Sequence, residues 1–289
     1  MSAGTTAGAP VVPYVDPVRA AALRRRGRRN GWLSSVSTLV VFAVLILVVV
    51  TAPGWPAVKE TFFNPEAFAE SAPKVLRAFL LNVKIFLIAE PLILVVALAI
   101  ALMRGLRGPV FLPFRLLAAV WTDVFRGIPT ILLIYLFGFG IPALGIAGLT
   151  KSYLFWGTVA LVCSYSAYVA EVYRAGIDSV HPSQRAAARS LGLSGVQTVR
   201  FVVLPQAVRR VVPPLLNDFI SLQKDTALVS VLGPIEALRA AGIYASFNFN
   251  YTSYVVAALL FIALTIPLAR FTDALLARDR KRQLAGGTA

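Results

Sequence analysis

Residues Arg185–Pro205 read RAAARSLGLSGVQTVRFVVLP. The stretch is rich in Arg, Ser and Ala, and Leu191, Leu193, Val196 and Val199 recur at helical spacing. Gly192 and Gly195 permit a break between two short helices. Pro205 stops a helix or opens the next one. Apolar blocks lie on either side. The chain has 289 residues, of which 58% are hydrophobic and only 14% are charged. Soluble domains carry about 25% charged residues. The composition therefore argues for an all-α integral membrane protein and against a soluble helical one. In that setting the stretch reads as a polar helix pair between membrane spans. It either docks on a partner or lies at the interface, held by anionic membrane lipid.

Six apolar runs are long enough to cross about 30 Å of hydrocarbon: Trp32–Val50, Ala78–Met103, Leu116–Leu136, Tyr153–Tyr173, Val211–Leu232 and Tyr254–Phe271. The residues before Trp32 include RRRGRRN and read as a disordered basic tail. A signal peptide is the competing reading, but VVVTAPGWP is a poor cleavage site, so the first run is expected to remain as a helix. Net charge is +15. The basic residues cluster beside apolar runs, so topology explains them and no nucleic acid is expected. The tail, the 104–115 loop, the 174–210 segment and the end after the last span are Arg-rich, while the alternate loops are poor in Lys and Arg. One orientation satisfies all of them, with both termini cytoplasmic. The organisation expected is a tail over 1–31, one transmembrane domain over 32–277 and a second cytoplasmic tail over 278–289.

Ionisable residues inside spans are costly and point to function by default. Glu90 is followed by Pro91, which is expected to kink its helix. Asp123 and Arg126 are three apart and suited to pairing, as are Glu171 and Arg174. In the fifth run, Asn217 shares a face with Lys224, and Asp218 shares the next with Asp225. Such a stripe lines a water-filled path or packs between subunits. The candidate pathway residues are thus Glu90, Asp123, Arg126, Asn217, Lys224 and Asp225. The aromatic segment 244–254 suits an interfacial belt or a contact with an external binding protein. One cysteine, Cys163, and one histidine, His181, do not make a metal set, and none is expected. The run GIAGLTKS at 145–152 nearly spells a phosphate loop, but Thr150 stands where the second glycine belongs and no strand precedes it. The chain itself should therefore hold no nucleotide and catalyse no bond chemistry.

The opening stretch resembles the EAA signature of membrane subunits of bacterial ABC importers. Ala187, Ala188, Gly192, Leu204 and Pro205 match that pattern, with Val202 in place of its isoleucine. The flanks VFRGIPTILLIYLFGFGIP, EVYRAGIDSVHPSQ and LPQAVRRVVPPLLNDFISLQKDTALVSVLG resemble the polar amino-acid subfamily. The resemblance covers about residues 78–275. It implies a permease of the type I importer fold, with the stretch as a coupling helix docking into a cytoplasmic ATPase dimer. Arg185 and Arg189 are then available to acidic groups of the ATPase. It also implies a second permease subunit, the same or related, an extracytoplasmic substrate-binding protein, and a polar amino acid as cargo. The setting is the bacterial cytoplasmic membrane. One departure is Ala186, where the family pattern has glutamate. An ATPase-independent secondary transporter or channel would also carry polar residues at mid-membrane, but it gives Arg185–Pro205 no task. A membrane-anchored scaffold leaves the polar stripe unexplained.

The Lys and Arg asymmetry generates a direct expectation. A reporter active only outside the cytoplasm should be silent when fused after Ala289 and active when placed in the 234–250 segment. Activity at the C-terminus, or silence in that segment, would overturn the orientation.

Overall fold

The computed structural model describes residues 17–106 and 108–286, and among these every regular element is helical. The chain divides into two units, residues 1–59 and 60–289. In the first, α1 (Pro17–Thr51) carries both the arginine run that the sequence assigned to a disordered tail and the first apolar run. The apolar window Ser34–Thr51 is 0% buried, so this span contributes nothing to a core. Helix α2 (Trp55–Phe62) follows it.

The second unit is built around α3 (Pro65–Gly105) and α7 (Tyr153–Asp178). Asn64 caps α3, its side-chain oxygen accepting the Ala67 N–H at 2.9 Å, and Pro65 occupies the first turn, where no N–H is needed. Pro73 and Pro91 lie inside α3, which continues through both as one helical element. Ser152 caps α7 by accepting the Phe155 N–H at 3.2 Å. Ala89 and Ala97 of α3 are fully buried, as are Ala160 and Ala167 of α7. Small residues let two helices approach closely, which matters because lipid offers no hydrophobic drive for association. Large apolar side chains such as Leu80, Leu87, Val95 and Leu102 point outward instead.

The third expected span is not one helix. It is broken between α4 (Leu112–Gly127) and α5 (Thr130–Tyr135), the stretches Pro109–Gly127 and Thr130–Ala143 meeting at 104°. Pro129 drives Ile128 into extended backbone (φ −97°, ψ 130°), which ends α4. Through a π-helical turn, Leu136–Gly140, the chain enters the short α6 (Ile141–Ala143). After α7 come two short polar helices, α8 (Pro182–Ser190) and α9 (Gly195–Thr198), then α10 (Leu204–Asp225). A 3₁₀ turn over Thr226–Leu232 prolongs α10. The 234–250 segment, read from sequence as a loop, contains α11 (Ala237–Asn248), set at 51° to the preceding helix. Helix α12 (Thr252–Gly286) closes the unit. Among the described residues, four helical stretches are long and apolar enough to span a membrane, and six if each bent pair forms one span.

Glu236 is fully buried, and no sequence motif marks it. It is the N-cap of α11, and its carboxylate accepts the Leu238 N–H at 2.9 Å and the Arg239 N–H at 2.7 Å. Asn82 of α3 donates to it at 2.9 Å and to Thr226 Oγ1 at 3.2 Å, while the Asn82 carbonyl accepts the Ala237 N–H at 3.0 Å. Around this knot pack Val75, Phe79, Ala241 and Val256. Asn82→Leu would strand two or more of these groups at about 1–3 kcal/mol each. The variant should lose roughly 3 kcal/mol, read as a lower midpoint of thermal aggregation in detergent. An unchanged midpoint would show that the knot is not what seats α11.

Candidate functional site

The Arg185–Pro205 stretch folds as two capped helices, for local reasons that can be named. His181 opens α8, its Nδ1 accepting the Ser183 N–H at 3.2 Å. At the other end the Gly192 N–H donates to the Arg189 carbonyl at 3.0 Å and the Leu193 N–H to the Ala188 carbonyl at 3.2 Å. This paired closure needs a left-handed residue, and Gly192 supplies it with φ 85°. Two residues on, Ser194 and Gln197 form a reciprocal capping box at 2.8 and 3.2 Å, which starts α9. The result is a compact, hydrogen-bonded polar projection.

Its side chains divide sharply. Ala188 is buried, whereas Ala186, Ala187 and Arg189 are exposed. Leu191 and Val196 are 84% and 79% exposed, an apolar pair facing away from the body of the unit. Val202 is half-buried, and Leu204 and Pro205 are exposed at the start of α10. Arg185 makes a contact that its sequence does not announce. Its Nη2 donates to the Ile177 carbonyl at 2.6 Å, which turns the side chain back toward the end of α7.

The same end of α7 carries an ion cluster. Glu171 binds Arg104 of α3 and Arg174, the latter at 2.6 Å, and Arg174 reaches Asp178 at 3.2 Å. The Glu171–Arg174 pair matches its three-residue spacing; its tie to Arg104 is tertiary and left no mark in the sequence. Arg104 also donates to Thr122 of α4 at 2.9 Å.

The intramembrane candidates are not gathered at one point. Asp123 and Arg126 do not pair, in contrast to the expectation from their spacing. The Arg126 guanidinium lies 5.6 Å from the Tyr168 ring centroid, the Tyr168 hydroxyl donates to the Arg126 carbonyl at 3.3 Å, and Asp123 is exposed. Contact with α7 has outcompeted a local i,i+3 pair. Glu90 is half-buried on α3. Asp225 accepts the Tyr165 hydroxyl at 2.8 Å, while Asn217 and Lys224 are exposed. A cavity of about 520 Å³ between α4, α7 and α10 is lined by Arg126, Tyr168, Glu171, Arg210 and Asp218. A second, of about 380 Å³, lies against α11 and is lined by Ser230, Arg239, Ser246 and Tyr254. Sequence reasoning did not assign Tyr165, Arg210 or Arg239 to a site; Arg210 lies inside the flank LPQAVRRVVPPLLNDFISLQKDTALVSVLG, but only the packing brings the three to these places.

Residues 110–281 match the family described as the binding-protein-dependent transport system inner membrane component. A protein of Bacillus subtilis described as a probable glutamine ABC transporter permease is 37% identical over 61% of this chain and 79% of its own length. The arginine transport system permease of the same organism is 30% identical over 68% of this chain and 88% of its own. Among solved structures, an amino acid ABC transporter with histidines superposes with a TM-score of 0.66 at 31% identity, covering 73% of this chain and 96% of that one. An inward-facing methionine ABC transporter shares the fold at a TM-score of 0.58 and 19% identity, over 71% of this chain and 95% of that one.

The closure at Gly192 can be tested by itself. A Cβ there meets open space, so substitution is opposed by backbone strain alone. Gly192→Val should cost about 1–2 kcal/mol and speed tryptic cleavage after the exposed Arg189 about tenfold. Gly192→Asn, which tolerates the left-handed region, should have a smaller effect. Equal cleavage in all three proteins would contradict the assigned closure.

Proposed function

The chain belongs to the family of binding-protein-dependent transport system inner membrane components, and on that footing we propose that it forms half of the membrane pathway of an ATP-driven importer for polar amino acids. Residues 32–277 make the permease body, flanked by cytoplasmic tails. A second permease subunit, the same or related, completes the pathway. Two cytoplasmic ATPases engage α8 and α9, and an extracytoplasmic binding protein delivers the amino acid. Closure of the ATPases on ATP displaces the helix pairs, and the bundles open alternately to the two sides. Hydrolysis belongs to the ATPases; this chain supplies the path and the docking element.

The observation that carries this reading is the projection itself. Leu191 and Val196 are almost fully exposed on a segment that two capping motifs hold rigid. A preorganised apolar pair loses little entropy on docking. An ATPase-independent transporter or channel has no use for it. Candidate pathway groups are Glu90, Asp123, Arg126, Asn217, Lys224 and Asp225, with the Arg126-lined cavity of about 520 Å³ as a reservoir between α4, α7 and α10. The names of the glutamine and arginine relatives support amino-acid cargo.

The test is reconstitution. The chain, co-expressed with a candidate ATPase and binding protein, should co-purify with the ATPase and drive ATP-dependent uptake of a polar amino acid into vesicles. Leu191→Asp should reduce co-purification about tenfold or more, as expected when an apolar anchor is replaced by a desolvated charge. Uptake that persists without ATP or an ATPase would favour the secondary transporter or channel.

A further inference from the structure

We infer that Arg185 is a transmission residue rather than an ATPase contact: with Arg210 it clamps the C-terminal turn of α7 from two sides, so that the docking helix α8, the span α7 and the span α10 move as one body. The inference deepens the importer reading and rests on it.

Three elements meet at this turn. The chain passes from α7 to α8 through Ser179, Val180 and His181 only, and Val180 is 1% exposed. The Ser179 N–H closes α7 on the Ala175 carbonyl at 3.0 Å, and His181 starts α8 at once, so the link has no slack. Arg185, one turn into α8, reaches back across the link to the Ile177 carbonyl at 2.6 Å. Arg210 of α10 donates to the Ser179 carbonyl at 2.9 Å from the other side. Both are cations on carbonyls at a helix C-terminus, where the free acceptors and the helix dipole favour positive charge. The third tie is steric. Gly176 packs so tightly against α10 that a Cβ would stand 2.5 Å from Val211 Cγ1 and 3.3 Å from the Ala207 carbonyl. Close packing of this kind transmits strain from one helix to the other.

Arg185 and Arg189 therefore divide the work. Arg189 is exposed and its guanidinium lies over Gly195, on the projecting side. Arg185 is half-buried, with its Nε buried and unpaired. The Arg185 side chain is thus held against its own chain, where that of Arg189 is exposed. Displacement of α8 is passed through the Arg185 bond to α7. Arg210 and Gly176 pass it to α10, which carries Asp218 and Asp225.

The experiment compares wild type, Arg185→Leu, Arg185→Lys and Arg210→Leu in the complete transporter, measuring ATPase co-purification, ATP hydrolysis and amino-acid uptake on one preparation. Arg185→Leu and Arg210→Leu should retain the ATPase, while uptake per ATP hydrolysed falls about tenfold, the scale of one charge-assisted hydrogen bond. Arg185→Lys, which still offers a cationic donor to the Ile177 carbonyl, should recover part of that ratio. A merely structural defect would lower uptake and hydrolysis together and leave the ratio unchanged, which overturns the inference. Loss of the ATPase from Arg185→Leu also overturns it, because Arg185 would then be a docking contact. If Arg185→Leu does not give monodisperse protein, Arg185→Lys and Arg210→Leu decide by the same ratio. Wild type that binds no ATPase defeats the importer reading instead.

Discussion

A backbone N–H or C=O without a partner in hydrocarbon costs several kcal/mol, and among the described residues the apolar helical stretches bend sharply at 127–130 and 233–236. Each break works because the freed groups are satisfied by side chains or by the fold. At the first, Pro129 has no N–H to satisfy, and its carbonyl accepts from Leu132 at 2.9 Å and Leu133 at 3.2 Å. Thr130 there hydrogen-bonds Ser164 of α7 at 3.0 Å. At the second, Gly233 turns the chain with φ 102°, and Glu236 with Asn82 caps the new helix. These satisfied breaks free the chain from straight spans and let α11 pack beside α3 and α12.

The interior follows the same constraint. Ser164, Ser166, Thr122, Gln223 and Thr226 are buried, while many of the large aliphatic side chains are outside. Several of these groups tie helices together. Ser166 accepts from Trp121 Nε1 at 3.2 Å, and Gln223 accepts from Thr265 at 2.8 Å, tying α10 to α12. Aromatic contacts add directional packing where helices diverge, as between Phe86 and Phe219, with ring centroids 4.5 Å apart. Polar pairing and small-residue contact thus replace the hydrophobic drive available in water.

The C-terminal end of α7 is where these rules meet the polar projection. Glu171 collects Arg104 and Arg174, and beyond it the carbonyls of Ile177 and Ser179 take Arg185 and Arg210. Four cations converge on one helix end, which carries acidic groups and free carbonyls to receive them. The projection is rigid in itself and rigidly joined to this end, a geometry that suits transfer of displacement over α7 and α10.

The sequence by itself determined the class, the approximate spans and the helix–turn–helix of Arg185–Pro205. Those depend on local quantities: run length, Gly192 at a left-handed position, and Ser194 with Gln197 at capping distance. It also contained the break at Gly127–Pro129 in its Gly-Ile-Pro triplet, although the apolar run masked it. Tertiary structure alone decided the rest. Arg126 left Asp123 for Tyr168, and Arg185 turned inward, because a guanidinium reaches far enough to choose among neighbours that only folding brings near. Glu236 and Asn82, separated by about half the chain, have no local pattern in common. Their pairing exists because a helix starting in a low-dielectric interior must find its cap, and α3 places the one amide that completes it.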